Sequence, residues 1–295
     1  MTQVTVVGIG RMGAPICACL VRAGHQVTAS DADPARQAAA RAAGAAWEPS
    51  AAVAAARCEV LVTVLPGPAE VSAVMGPAVV AALPPGATWI DMTSTSPQAA
   101  AEVRGRLAGR PLEAFEAPIG GSPRDAAAAG LRLFVGGDAE LIARHRPLLE
   151  AVADPAKIVH TGGPGTGYAL KLLVNALWFG QAVATAEALL LGRRAGVDLA
   201  LMREVLADSA AGSAFVRHDL DALFAGDYLE SFGLDHICEQ LSLVASMADA
   251  HGTPHEVADS VRRLYARALD RYGPADGELL AVKLLEERAG LRLRP

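Results

Sequence analysis

The chain has 295 residues, 52% hydrophobic and 20% charged, with a formal net charge of −6 at pH 7. That length suits one large domain or two ordinary ones with a substantial core, and an acidic balance without a long basic run speaks against nucleic acid as a partner. The four cysteines, Cys17, Cys19, Cys58 and Cys238, form no CxxC pair or disulfide-like spacing, so reduced thiols and a cytoplasmic setting are expected. The start Met1-Thr2-Gln3 runs straight into a strand-like stretch without a charged region, so no leader is expected. No uninterrupted apolar run of about 18 residues suits a membrane span; Lys171, Asn175, Gln181 and Glu187 break the nearest one, Leu170 to Leu191.

The first predicted elements carry the clearest signal. Val4-Thr5-Val6-Val7 reads as a strand, Gly8-Ile9-Gly10-Arg11-Met12-Gly13 as a tight turn, and Ala14 to Ala23 as an amphipathic helix. This geometry holds a dinucleotide pyrophosphate: Gly8 permits the turn, Gly10 admits phosphate to the backbone, and Gly13 allows close helix–strand packing. The next apolar run, Gln26 to Ser30, ends at Asp31, 23 residues after Gly8. That is close to the offset of about 20 residues expected of the acid that accepts hydrogen bonds from a ribose and repels a 2′-phosphate. With Ala32 next rather than an arginine, NAD is favoured over NADP. The plainer alternative makes Asp31 a turn cap before Asp33-Pro34.

Up to about residue 160, strand-like runs alternate with helical stretches. The predicted strands are Val4–Gly8, Val27–Asp31, Val60–Leu65, Thr88–Asp91, Leu112–Ala117, Leu131–Val135 and Lys157–His160. Alternation of this kind predicts an α/β fold: a doubly wound, Rossmann-type parallel sheet with helices on both faces, whose ligands bind beyond the carboxyl ends of the strands. The loops at Gly8 to Gly13, Leu65 to Pro68, Asp91 to Pro97 and Pro118 to Pro123 are therefore expected to face one crevice. After Gly162-Gly163-Pro164-Gly165 no strand is predicted. One long helix runs from Thr166 to about Arg194, followed by Leu199–Ser209, Ala214–Phe224, Leu234–His251, Pro254–Tyr272 and Gly277–Ala289, each break marked by proline or glycine. The expected domains are residues 1–162, which bind NAD(P), and 163–295, an all-helical substrate and oligomerisation domain joined through the long helix. That helix is too apolar to stand alone in water. It is expected to be buried in its domain and partly against another subunit, in a homodimer or homotetramer.

The long helix puts Lys171 and Asn175 four residues apart on one face. A partly desolvated lysine near a helix N-terminus is expected to have a depressed pKa, which suits proton exchange with a carbonyl or hydroxyl oxygen. The chain has three lysines, and this one stands among apolar neighbours. The plain alternative is a solvated surface lysine. No histidine, cysteine or acid cluster has metal-ligand spacing, so no metal is expected.

Four segments together resemble the β-hydroxyacid dehydrogenase family, which includes 3-hydroxyisobutyrate dehydrogenases and is related to imine reductases. They are Gly8 to Gly13; Asp91-Met92-Thr93-Ser94-Thr95-Ser96-Pro97, similar to D-x-S-T-x-x-P; Glu116-Ala117-Pro118-Ile119-Gly120-Gly121-Ser122, similar to D-A-P-V-S-G-G; and Gly163 through Lys171 and Asn175, similar to G-x-G-x-x-x-K-x-x-N-N. The resemblance implies a Rossmann domain followed by a helical domain of the 6-phosphogluconate dehydrogenase type, a nicotinamide cofactor and a small-molecule substrate oxidised at a CH–OH group. It also implies roles: Lys171 as acid/base, Asn175 orienting substrate or Lys171, Leu65-Pro66 and Thr95 along the cofactor, and Gly120, Gly121 and Ser122 binding a substrate carboxylate through backbone N–H groups.

Three positions depart from the family pattern. Gly120 stands for the serine of S-G-G, Val174 for the first of the paired asparagines, and Glu239-Gln240 for a Lys-Asp pair. Glu239 in place of lysine changes the local charge by two and predicts an atypical substrate: larger, neutral, or carrying an amine or imine. Hydride transfer between a nicotinamide and a small hydroxy or oxo compound is therefore the leading expectation. An imine reductase or reductive aminase is the second, with Lys171 and Asp31 against it. A dinucleotide-binding protein without catalysis is the third.

Overall fold

The first apolar runs form strands because their β-branched residues alternate between two buried faces. The strands are β1 (Gln3–Val7), β2 (Gln26–Ser30), β3 (Ala46–Trp47), β4 (Val60–Thr63), β5 (Thr88–Asp91), β6 (Glu113–Glu116), β7 (Ile119–Gly120), β8 (Leu131–Gly136) and β9 (Ala153–Gly162). The structure, a computed structural model, describes residues Met1–Pro295. All seven predicted strands are present; the two-residue β3 and β7 are too short to leave a periodic signal.

The strands form one sheet in the order β3-β2-β1-β4-β5-β6-β8-β7, with β9 beside β8. The pairs from β3 to β6 are parallel, in the Rossmann order with its switch point between β1 and β4. The doubly wound sheet is as expected, with one departure at its edge. β8 runs antiparallel to both β6 and β7, because the connections around β7 are too short for a crossover.

Helices cover both faces. Val4, Val6, Val60 and Val62 join Ile16 and Leu20 of α1 (Gly13–Arg22) and Leu141 and Leu148 of α8 (Ala139–Glu150) in one core cluster. Val7, Leu61 and Trp89 point the other way, onto α3 (Ala51–Ala55), α4 (Pro68–Val74), α5 (Pro77–Ala82) and α6 (Pro97–Gly105). α2 (Gln37–Ala42) and α7 (Pro123–Ala127) complete this part.

The long helix α9 (Thr166–Arg194) has the predicted bounds. It crosses the division between two units, Met1–Lys171 and Leu172–Pro295. In the second unit, Ala182, Ala186 and Leu189 pack with Leu199 of α10 (Leu199–Ala207), Leu220 and Leu223 of α11 (Leu220–Ala225), and Val282 of α14 (Leu280–Ala289). Phe179 and Val183 pack with Ile237 and Leu241 of α12 (Leu234–His251) and with Leu264 and Tyr265 of α13 (Glu256–Tyr272). The single helix expected over Ala214–Phe224 is instead a π-helical turn, Phe215–Asp219, leading into α11.

α9 is less enclosed than its composition suggested. Leu170, Leu173, Val174, Leu177 and Leu191 are exposed. By length and composition alone it is apolar enough to cross a membrane, with 33% of its most apolar window buried. Scattered polar residues break a run of letters but barely lower a window average.

Candidate active site

The glycine loop is shaped by backbone contacts. Gly8 has φ +99°, and a Cβ there would lie 2.1 Å from the Val64 carbonyl oxygen. A Cβ on Gly13 would lie 1.8 Å from the Gly8 carbonyl oxygen. Only hydrogen fits at either position. At Gly10 a Cβ would meet nothing within 4 Å, so this stretch of backbone can be approached from outside. Met12, the N-cap of α1, gives no side-chain cap, and the first turn holds no acid. The positive end of the helix therefore suits an anion.

Asp31 sits directly after β2 and is tied to this loop. Its Oδ2 accepts the Ile9 N–H at 2.6 Å and its Oδ1 accepts the Asp33 N–H at 2.9 Å. Each carboxylate oxygen keeps acceptor capacity for a ribose hydroxyl. The cap of the following 3-10 turn is Asp33, which accepts the Ala35 N–H. Arg11 is exposed and Met12 half-buried beside them.

Leu65 and Pro66 follow β4 and are held by the loop after β5. The Leu65 N–H donates to Thr93 Oγ1 at 3.1 Å, and the Thr93 N–H donates to Asp91 Oδ1 at 3.0 Å. That same oxygen accepts the Thr63 hydroxyl at 2.7 Å, and Thr63 accepts the Trp89 indole N–H at 2.9 Å. Thr95 is 1% exposed, and its hydroxyl has no hydrogen-bond partner within the protein. A buried orphan of this kind is costly unless a bound group completes it. With the two crowded glycines, the open Gly10 and Asp31, the residues present fit a dinucleotide.

The start of α9 is fastened by two buried carboxylates. Tyr168 OH donates to Asp91 Oδ2 at 2.7 Å. Glu116, 0% exposed, accepts the Gly165 and Gly167 N–H groups on Oε1 and the Arg104 guanidinium on Oε2, the last at 2.8 Å. The fit leaves no room for a side chain: a Cβ on Gly136 would lie 2.2 Å from Glu116 Oε1, and one on Gly167 2.3 Å from the Phe134 carbonyl oxygen. Burial pushes the Asp91 carboxyl up, against hydrogen bonds from Tyr168, Thr93 and Thr63. It also pushes Glu116 up, opposed by Arg104. Burial and the neighbouring Asp91 push the Tyr168 hydroxyl well above its usual value. Lys171, half-buried, lies one turn after Tyr168 and closes the first unit.

The other sequence-predicted residues are distributed as follows. Gly120 belongs to β7 rather than to a loop, Gly121 follows with φ +125°, and Ser122 is the N-cap of α7. Ser122 forms a capping box: its N–H and hydroxyl donate to Asp125 Oδ2 at 2.7 and 2.6 Å, and its Oγ accepts the Asp125 N–H. These bonds hold the Asp125 carboxyl below its usual range. In the second unit, the Asn175 amide donates to Gln240 Oε1 at 2.7 Å, and Gln240 is 5% exposed. Glu239, on the same helix α12, has His236 Nδ1 at 3.9 Å, an ion pair only when the imidazole is protonated.

The structure thus brings Asp31 onto the glycine loop and Leu65 onto the Asp91 loop. Glu239 belongs to α12 of the second unit. Sequence reasoning missed Tyr168, Arg104, Thr93 and Gln240 as functional supports, and saw Asp91 and Glu116 only as letters of longer motifs. An acid ending each of two adjacent strands was the available signal.

Comparison with known proteins extends this picture. Residues 3–162 match the NAD-binding domain of 6-phosphogluconate dehydrogenase, and residues 165–285 match a domain described as NAD-binding of NADP-dependent 3-hydroxyisobutyrate dehydrogenase. A probable 3-hydroxyisobutyrate dehydrogenase of Mycobacterium tuberculosis is 36% identical over 218 residues, 74% of this chain and 73% of that protein. An NAD-dependent L-serine dehydrogenase of Pseudomonas aeruginosa is 28% identical over 97% of this chain and 98% of its own. The solved Mycobacterium tuberculosis 3-hydroxyisobutyrate dehydrogenase with L-serine superposes with a TM-score of 0.88 at 29% identity, covering 96% of this chain and 99% of that one. A glycine loop that accepts only hydrogen at two positions, an acid fastened to it, and these likenesses converge: the chain belongs to the β-hydroxyacid dehydrogenase family of nicotinamide-dependent oxidoreductases.

Proposed function

We propose that the protein is an NAD-dependent dehydrogenase of a small hydroxyacid or related alcohol, with Lys171 as its acid/base. The observation that carries this reading is Lys171 itself, seated in the first turns of α9, where Asp91 and Glu116 tie the helix to the nucleotide-binding unit. The bound nicotinamide supplies the hydride acceptor in oxidation and the donor in reduction. In oxidation the neutral Lys171 amine takes the proton from the substrate hydroxyl; in reduction its ammonium returns it to the carbonyl oxygen. Asn175, its amide fixed by Gln240, orients the substrate oxygen or the lysine. Gly121 is the backbone donor for a substrate carboxylate, since the Ser122 N–H is engaged by Asp125 and Gly120 is paired with Arg132 in the β7–β8 ladder.

Asp31 supports NAD over NADP, because a carboxylate held on the glycine loop repels a 2′-phosphate. Glu239 favours a substrate that is neutral, larger or amine-bearing over a small anion. The exposed Leu173, Val174 and Leu177 support a homodimer through α9, which light scattering during gel filtration tests: a monodisperse monomer would remove that part.

The deciding experiment pairs NADH with NADPH over aldehydes, 2- and 3-oxoacids and cyclic imines, and NAD with 3-hydroxyisobutyrate and L-serine in the forward direction. Turnover of an oxo or hydroxy compound, preferring NADH or NAD and lowered at least about 100-fold in Lys171→Ala, is expected. A cyclic imine reduced faster with NADPH than any oxoacid with NADH would replace this reading with an imine reductase. Glu239→Lys is expected to shift preference toward small anions; an unaltered preference would remove Glu239 from the specificity argument.

A further inference from the structure

Lys171 needs a defined reach to exchange a proton, yet it lies near the start of α9, where the first N–H groups of a helix lack internal partners and the end tends to fray. Here that end is held by unusual means. Asp91 ends β5 and Glu116 ends β6, and the two are register partners on these neighbouring strands. Asp91 takes the Tyr168 hydroxyl, three residues before Lys171, while Glu116 takes the Gly165 and Gly167 N–H groups across the beginning of the helix. Two buried carboxylates and a fully buried tyrosine are an expensive way to pack a core, where a phenylalanine over apolar strand ends would bury as much surface. Their hydrogen bonds do what apolar packing does not, which is to fix the rotation of the helix about its own axis.

We propose that Tyr168 and Glu116 are positioning residues for Lys171, locking the first turn of α9 onto the carboxyl ends of β5 and β6 so that the lysine amine is presented in one orientation. The proposal rests on Lys171 being the acid/base, and its test has one readout that needs no turnover. The only lysines are Lys157, Lys171 and Lys283, so reductive methylation of the intact protein with 13C-formaldehyde gives three lysine NMR signals beside that of the α-amine, assigned by Lys→Arg variants and titrated with pH.

In Tyr168→Phe the Lys171 signal is expected to broaden or change its titration midpoint while those of Lys157 and Lys283 hold. With the best substrate of the panel, kcat should fall roughly 10- to 100-fold while the KM for NADH stays within about twofold. Tyr265→Phe is the matched control. It removes a partly buried hydrogen bond of 2.8 Å to the Glu278 carbonyl in the second unit, and should lower the melting temperature without moving the Lys171 signal. If Tyr168→Phe merely matches Tyr265→Phe, with the Lys171 titration and kcat of the parent protein, the proposal is overturned. Should Tyr168→Phe fail to fold, Glu116→Gln, which keeps an acceptor but removes the charge, decides by the same two readouts. If the parent protein turns over no compound, the functional reading falls, and the Lys171 titration alone still decides whether the residues position it.

Discussion

The loop at Gly8–Gly13 and the start of α9 hold the two halves of the proposed chemistry, and they are built by opposite means. In the loop the constraints are steric and between backbone atoms: Gly13 is pressed on the Gly8 carbonyl, and Gly8 on that of Val64. At the start of α9 the constraints are polar and long-range, from carboxylates 49 and 77 residues earlier in the chain. A phosphate cradle needs close approach of backbone, which the absence of Cβ atoms provides. A proton-exchanging side chain needs a fixed direction, which directional hydrogen bonds provide.

Substitutions can break this contrast, beginning with the largest effect. Lys171→Ala should lower kcat by about 10²- to 10⁴-fold while leaving NADH affinity, measured by fluorescence titration, nearly intact. Within the loop, Gly13→Ala should cost about 1–3 kcal/mol of stability from overpacking and weaken NADH binding by at least about tenfold. Gly10→Ala meets no neighbour, so its stability should change by less than about 1 kcal/mol while cofactor affinity falls. Equal stability losses at the two glycines would contradict the steric account. Asp31→Ala should shift the NADH/NADPH preference toward NADPH by about tenfold, the value of roughly one charge-assisted hydrogen bond, read from kcat/KM with each cofactor.

The smallest effect is in the capping box. Asp125→Asn should cost about 1 kcal/mol or less by urea unfolding. Because the folded pKa of Asp125 is lowered, its contribution is present above the ordinary carboxylate range and is lost as pH falls through the lowered value. The cost of the substitution should therefore vanish in acid. Asp91 and Glu116 have the opposite slope. Their folded pKa values are raised, so their contribution is complete at low pH and declines as pH rises through those values.

The sequence by itself determined the seven longer strands, the long helix α9 and the cofactor loop. Alternating β-branched runs, glycines at fixed offsets and an acid at the end of β2 act over a few residues, and each leaves a local pattern. It also marked Lys171 and Asn175, whose spacing on a helix is local. Only the tertiary structure decided that β8 turns antiparallel against β6, that Ser122 spends its N–H on Asp125, and that Gln240 holds Asn175. It alone placed Asp91 and Glu116 against the first turn of α9. These are pairings between residues far apart in sequence or choices among competing partners. A strand-ending acid reads the same whether it meets solvent, a ribose or a buried tyrosine; packing brings the donors to it and thereby decides its role.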